Sequence, residues 1–134
     1  MKLEDQVVSL ELAKEMKEMG FEQDSLWYWC KTVKAEKIKI NCCIVNGVNI
    51  AKTTYIEADY EWDLVKGNYS FEESCSAYTC AELGDVLKFQ TVYIKYDTMQ
   101  KFWRIEKGCF CDGADTEADA RAKMLIHLKQ NNLN

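Results

Sequence analysis

The sequence lacks the patterns by which common enzymes are identified. It contains one histidine and no proline, and it has no glycine-rich phosphate loop, no GxSxG motif and no HExxH motif. These absences exclude the usual nucleotide-binding, serine-hydrolase and metalloprotease signatures. We therefore expect a protein that is not an enzyme, with no cofactor, no metal and no catalytic residues. For the missing proline we find no physical reason.

Long apolar runs and clusters of cations are missing as well. No apolar run approaches the roughly 18 residues of a membrane span, and the N-terminus lacks the basic start and apolar core of a signal peptide. The net charge is −5 at pH 7, from 22 acidic and 17 basic residues. Because phosphates are neutralised by clustered Lys and Arg, nucleic acid is not an expected partner. We expect an acidic, cytoplasmic protein that does not associate with membranes.

The first two helix signals lie at the N-terminus and in the middle of the chain. A first helix is predicted over residues 9–19, with Gly20 as the residue that ends it. A second helix is predicted to begin at Thr79, because Thr79 and Glu82 have the spacing of a capping box. Both helices carry an apolar stripe, so both are expected to pack against a sheet.

The third helix signal begins at Thr116, which is a favourable N-cap residue. Asp119 stands three residues later, where a capping-box acid reaches back toward the cap. One apolar stripe follows at helical spacing: Ala118, Ala122, Leu125 and Leu128. The sequence thus predicts a helix that packs along one face.

Five segments are predicted as strands, namely residues 26–30, 36–45, 55–63, 92–96 and 102–106. Residues 108–115 are expected to form a loop. The chain has 134 residues, of which 48% are hydrophobic, which is the size and composition of a single domain spanning 1–134. We predict an α+β fold in which three helices pack on one antiparallel sheet of about five strands, in the order α-β-β-β-α-β-β-α.

The hairpin signal Asn46-Gly47 joins two strands that do not fit one unbroken register. A two-residue turn there pairs residues whose numbers sum to 93, which would place Glu57 on the same face as Ile38 and Ile40. The strict alternation of residues 55–63 argues against that arrangement. A bulge or break near residues 52–54 is therefore predicted to shift the phase.

An acidic ladder occupies one side of the predicted strand over residues 55–63. Its members are Glu57, Asp59, Glu61 and Asp63. Alternate strand residues lie about 6.6–6.8 Å apart on one face, a spacing that suits paired carboxylates or a hard cation. The same ladder is expected of a charged, water-facing strand that resists edge-to-edge pairing. We favour the water-facing interpretation.

The consecutive aromatic residues Trp27, Tyr28 and Trp29 must point to both faces of their strand. Either both faces are covered, or an aromatic patch is exposed for a partner. We favour burial on both sides. If the chain has an interaction surface in these regions, we expect it to include Trp27 and Trp29 together with the acidic ladder.

The seven cysteines are an odd number and include no CxxC pair. In a cytoplasmic protein they are expected to be reduced thiols. Cys30 and Cys42 lie on apolar strand faces and are predicted to be buried in the core. Cys109 and Cys111 are predicted to be exposed, with a redox role as the alternative. The single histidine, His127, is expected to be a half-exposed packing residue.

Three motifs resemble those of a group of small uncharacterised proteins encoded by gut bacteria of the Bacteroides type and by their phages and prophages. The motifs are residues 9–29 without 21 and 22, residues 76–84, and residues 116–126. That group has no assigned activity, so the resemblance implies a mobile-element origin and no site residues.

The sequence therefore favours a non-enzymatic interaction or regulatory protein of phage or mobile-element type, which acts through a protein–protein surface on an unknown protein partner. One alternative is an acidic decoy that occupies a nucleic-acid-binding protein with its acidic ladder. Another is a small enzyme built on carboxylates or thiols. Formation of a homodimer stays open.

Overall fold

The computed structural model describes residues 2–67, 73–88 and 90–131, and within them all side chains except those of residues 34–41 and 51–58. The described elements are α1 (Leu3–Gln6), α2 (Leu10–Glu18), β1 (Trp27–Val45), β2 (Val48–Lys66), β3 (Ser74–Ser76), α3 (Cys80–Leu87), β4 (Tyr93–Asp97), β5 (Phe102–Lys107), β6 (Phe110–Ala114) and α4 (Glu117–Gln130). The mixed α+β class with antiparallel pairing is confirmed. The order of elements differs from the prediction, because α1, β3 and β6 are added and the first two predicted strands are one strand, β1.

The strands form two sheets rather than the single sheet that was predicted. One sheet has the order β2-β1-β3 and the other has the order β4-β5-β6. The strand β3 lies in a polar stretch and pairs with residues 28–30 of β1, and β6 lies in the segment expected to be a loop. Neither strand shows alternating apolar residues, since each is short and is held by pairing to a longer neighbour.

The strands β1 and β2 form one long hairpin, so the segments 26–30 and 36–45 are parts of a single strand. Its turn lies at Asn46 and Gly47, whose φ angles of 52° and 79° are both positive. Two positive φ angles define a type I′ turn, whose twist matches that of the flanking strands. The turn predicted from Asn46-Gly47 is therefore present.

The register of this hairpin shifts twice. Ile40 pairs with Thr53, whereas Lys39 pairs with Tyr55, so Thr54 is an extra residue in β2. This confirms the bulge or break predicted near residues 52–54. A second irregularity lies at Lys34, and the sequence pattern did not indicate it. On the far side of Lys34, paired residues again have numbers that sum to 93, as they do next to the turn.

The helix α4 lies at the centre of the fold, in contact with α1, α2, α3, β5 and β6. The predicted stripe is buried, but so are three residues outside it, Ala120, Met124 and Ile126. Arg121 and Lys123, which stand between these residues in the sequence, are half-buried. The expectation of a single packing face is therefore corrected, because layers cover α4 from several directions.

The helix caps are mostly as predicted. The capping box of α3 is complete, since the hydroxyl of Thr79 accepts from the backbone N–H of Glu82 and the Glu82 carboxylate accepts from the N–H of Thr79. Thr116 caps α4 by accepting from the N–H of Asp119 at 3.2 Å. The Asp119 carboxylate does not complete a capping box, however. It accepts instead from the backbone N–H of Ser9 at 2.7 Å.

Candidate protein-binding surface

The long hairpin extends beyond the sheet that anchors it. The strand β3 pairs only with residues 28–30 of β1, and no other described strand pairs with β1 beyond them except β2. Val33 and Tyr60 form a pair whose side chains are 51% and 55% exposed. We call residues 33–60 the hairpin arm. At about 3.3 Å per residue, the arm is roughly 40 Å long.

The end of the arm carries exposed aliphatic side chains. Every residue from 42 to 50, which we call the arm tip, is exposed. Ile44 is 74% exposed and Val48 is 61% exposed, and Val45 and Ile50 are also exposed. Contiguous exposed apolar side chains mark interaction surfaces, and a two-stranded hairpin on its own is only marginally stable. The arm tip therefore has the character of a surface that a partner covers.

Cys42 belongs to this tip, and its predicted place in the core is wrong. Its side chain is exposed, whereas Cys30 is buried as expected. Both residues lie in β1, but only Cys30 lies in the part of β1 that is paired with β3. The difference in burial follows from where the three-stranded part of the sheet ends.

The acidic ladder lies along β2, from the arm into its base. Asp59 and Glu61 are exposed, and the half-buried Asp63 accepts a hydrogen bond of 2.8 Å from the hydroxyl of Thr32. The side chain of Glu57 lies outside the described side chains, and its Cα partner in β1 is Lys37. The neighbouring strand carries four lysines: Lys31, Lys34, Lys37 and Lys39. The acidic ladder therefore runs beside a basic strand.

The two tryptophans predicted for an interaction surface lie at the base of the hairpin. The indole N–H of Trp29 donates a hydrogen bond of 2.8 Å to the carbonyl of Val8, and the ring packs against the core. Tyr28, on the opposite face, is buried and donates through its hydroxyl to the carbonyl of Gln23. Trp27 is half-buried. Tyr28 is therefore buried on one face, while Trp29 is half-buried against the core on the other and joins the hairpin to the body.

Two cation–π contacts stiffen the base of the arm. The ammonium group of Lys14 lies 4.6 Å from the ring centroid of Trp62, which also packs against the core. The ammonium group of Lys31 lies 4.8 Å from the ring centroid of Tyr60. Such contacts stabilise by about 0.5–1 kcal/mol at exposed sites. The Lys14 contact joins the hairpin to α2, whereas the Lys31 contact joins β1 to β2 within the hairpin.

Cys109 and His127 line one open cleft of about 680 Å³. Phe110 stacks on the imidazole of His127 with ring centroids 3.8 Å apart, and the amide nitrogen of Asn131 lies 3.2 Å from Nδ1. Among the residues that the structure describes, no hydrogen bond joins the thiol to the imidazole. The predicted packing role of His127 is confirmed, and so is the exposure of Cys109 and Cys111.

The less exposed thiols are poor nucleophiles. Burial raises the pKa of Cys30 and of Cys75 above the ordinary thiol value, and it raises the pKa of Cys80 to about 11. Because the thiolate is the reactive form, these three thiols are largely inert at neutral pH. Within the described parts of the chain, no group of three or more His, Cys, Asp or Glu side chains is placed to hold a metal ion.

A second cleft, of about 590 Å³, lies where α3 and α4 begin. Helix N-termini attract anions, and both Thr79 and Thr116 line this cleft. Three carboxylates line it as well: Asp5, Asp115 and Glu117. Because these acids oppose the approach of an anion, the cleft does not have the character of a phosphate site.

The sequence reasoning missed the arm tip. The signal that points to it is the set of uncharged, largely aliphatic residues on both sides of Asn46-Gly47, which are Ile44, Val45, Val48 and Ile50. Because an apolar strand face usually packs on a helix, these residues gave no reason to expect an exposed tip. Only the short length of β3 shows that the hairpin extends beyond the three-stranded part of its sheet.

No helix in the described ranges is long and apolar enough to cross a membrane. Comparison with models of protein families, with curated proteins and with solved structures finds no match. The resemblance to gut-bacterial and phage proteins therefore stays a prediction.

Proposed function

We propose that this protein is a non-enzymatic interaction or regulatory protein of phage or mobile-element type, which binds a protein partner through the arm tip. The observation that carries the proposal is the exposure of all residues from 42 to 50 at the end of an arm roughly 40 Å long. An arm of this kind moves its binding surface away from the body, where it is accessible to a second protein.

The backbone of the arm supports the same conclusion. A strand at the edge of a sheet presents unpaired N–H and C=O groups that another chain can pair with. The N–H of Lys31 still donates to the carbonyl of Glu73, and beyond residue 31 β1 has such an edge along the described strands. The arm therefore offers backbone hydrogen bonds for affinity and aliphatic side chains for specificity.

The acidic decoy is the weaker candidate, because the acidic ladder does not stand alone. Neighbouring strands lie about 4.8 Å apart, which is less than the Debye length of about 8 Å at physiological salt. The lysines of β1 therefore offset the field of the acids of β2 before it reaches a partner. A phosphate mimic needs carboxylates without cations beside them.

Photocrosslinking in cells tests the proposed function. A benzophenone amino acid replaces Ile44 in the arm tip, and in the control it replaces Val86, a 60% exposed aliphatic residue of α3. We expect a discrete crosslinked protein species from position 44 and none from position 86. Equal crosslinking at both positions, or none at position 44, would show that the arm tip is not a binding surface.

A further inference from the structure

We infer that the partner of the arm tip is a second copy of this chain, whose β1 edge pairs antiparallel with the β1 edge of the first. The two arms then form one continuous four-stranded sheet in the order β2-β1-β1-β2, with a twofold axis at Cys43. This inference rests on the proposed function, in which the arm tip is a binding surface. It adds the identity of the partner, which is a second copy of the chain.

The distribution of charge selects β1 as the pairing edge. Edge strands are normally protected from one another by charged side chains, lysine above all. Lysines occur along β1 up to Lys39, and residues 40–45 then contain no charged residue. In β2 the uncharged run next to the turn is shorter, since it covers residues 48–51 and ends at Lys52. The distal part of β1 is therefore the least protected edge of the arm.

The turn determines which backbone groups face this edge. In the type I′ turn at Asn46 and Gly47, the carbonyl of Val45 faces the N–H of Val48 within the hairpin. Because successive residues of an antiparallel strand direct their N–H and C=O groups to opposite sides, Ile44 and Cys42 direct theirs toward the free edge. Two copies can exchange hydrogen bonds only when such residues lie opposite one another. The twofold axis must therefore pass through a residue and not between two residues.

An axis at Cys43 satisfies this condition and pairs no charged residue. It places Cys42 opposite the partner's Ile44, and Asn41 opposite the partner's Val45. An axis at Cys42 would bring Lys39 into the pairing, opposite the partner's Val45. The register centred on Cys43 is therefore the one that pairs the longest uncharged segment, residues 41–45.

The same register makes a prediction about distance. Cys43 directs its backbone groups toward β2, so its pair with the partner's Cys43 is a pair without hydrogen bonds. The Cα atoms of such pairs lie about 4.5 Å apart, which is within the range of about 4.4–6.8 Å that a disulfide requires. The two Cys43 thiols can then be joined by an added oxidant.

Sedimentation equilibrium of the full chain under reducing conditions tests the dimer. We expect a monomer–dimer equilibrium whose dissociation constant rises at least about tenfold in Ile44→Lys, because a lysine at an edge opposes strand pairing. The matched control Val86→Lys places the same charge at an exposed aliphatic residue of α3 and should leave the constant unchanged. A wild-type protein that is monomeric at all concentrations, or an equal effect of both substitutions, overturns the inference.

Oxidative crosslinking tests the register. In a background of Cys109→Ser and Cys111→Ser, diamide accepts two electrons and two protons from a pair of thiols and leaves a disulfide-linked dimer. We expect the linked dimer to persist in Cys42→Ser and to be lost in Cys43→Ser. Circular dichroism shows whether each variant is folded. Crosslinking through Cys42 alone, or in neither variant, overturns the register.

The two proposals fail in different ways. If the benzophenone at position 44 captures a different protein while the pure chain stays monomeric, the arm tip binds a partner and the inference of a second copy is wrong. If position 44 captures nothing and the chain is monomeric, both proposals are wrong. If position 44 captures the same chain, both are supported.

Discussion

The backbone N–H of Ser9 donates a hydrogen bond of 2.7 Å to the carboxylate of Asp119, which lies 110 residues further along the chain. Ser9 immediately precedes α2, and Asp119 lies in the first turn of α4. The backbone N–H of Asp119 donates in turn to the hydroxyl of Thr116. Asp119 thus takes part in the cap of its own helix and also ties the N-terminal segment to the central helix.

Removal of the Asp119 carboxylate should destabilise the fold. Asp119→Ala leaves the part-buried N–H of Ser9 without this acceptor, and we expect the free energy of unfolding to fall by about 1–3 kcal/mol. Asp119→Asn keeps an acceptor oxygen and should lose less. Asp115→Ala is the matched control, an exposed acid in the same segment, and should change stability by less than about 0.5 kcal/mol. Urea unfolding measures all three, and equal losses for Asp119→Ala and Asp115→Ala would contradict the role of the bond.

The stability of the protein should depend on pH through Asp119. Burial raises the pKa of this carboxyl above its ordinary value of 3.8, against the opposing effects of the Ser9 hydrogen bonds and of Lys123. Between the unfolded and folded pKa values the folded state binds more protons. The free energy of unfolding contributed by this group therefore falls as pH rises through that window.

The measurement compares wild type with Asp119→Asn, which does not titrate at this position. We expect the stability of wild type relative to the variant to be greater at about pH 3.5 than at about pH 7. The pH dependence that wild type and the variant share cancels when their free energies of unfolding are subtracted. A difference that stays constant, or that changes in the opposite direction, would show that the pKa of Asp119 is not raised by folding.

The seven thiols should divide into two kinetic classes. Four are exposed, namely Cys42, Cys43, Cys109 and Cys111, while Cys30 and Cys75 are buried and Cys80 is half-buried. Titration of the folded protein with Ellman's reagent should therefore show four fast thiols and three slow ones, and titration in denaturant should show all seven as fast. If only three thiols reacted fast, the result would favour the predicted burial of Cys42 in the core.

The two faces of β2 should respond differently to substitution. Trp62 packs against the core and lies under the ammonium group of Lys14, so Trp62→Ala should lower the free energy of unfolding by about 2–4 kcal/mol. Asp59 is exposed, and Asp59→Asn should change it by less than about 0.5 kcal/mol. Millimolar magnesium should leave the melting temperature of wild type unchanged, because only binding to the folded state raises it. A magnesium-dependent rise that Asp59→Asn abolishes would instead make the acidic ladder a cation site.

Features that depend on a few neighbouring residues could be predicted from the sequence. The capping box of Thr79 and Glu82 and the turn at Asn46-Gly47 each involve groups that are at most three residues apart. The bulge at Thr54 was also predictable, because side chains alternate strictly along a strand and a change of phase needs an extra residue. Local geometry determines all of these features, so no knowledge of the remaining chain was required.

The burial of apolar residues was predicted only in part. Cys30 and Cys42 look alike in sequence, and yet one is buried and the other is exposed. The apolar stripe of α4 was also an incomplete guide to burial. It marks one face of the helix, whereas the helix is covered on several sides. Burial depends on which distant elements cover a residue, and periodicity along one element does not contain that information.

By itself, the sequence determined the N-caps Thr79 and Thr116, the tight turn, the shift of phase near residues 52–54 and the absence of common catalytic motifs. Only the tertiary structure decided that β3 stops pairing after residue 30 of β1 and that the arm tip is exposed. It also decided that the carboxylate of Asp119 binds Ser9 rather than its own helix cap. The physical reason is common to these cases: hydrogen bonds and contacts between residues far apart in sequence form only when the whole chain has packed, and their partners are then chosen by distance in space.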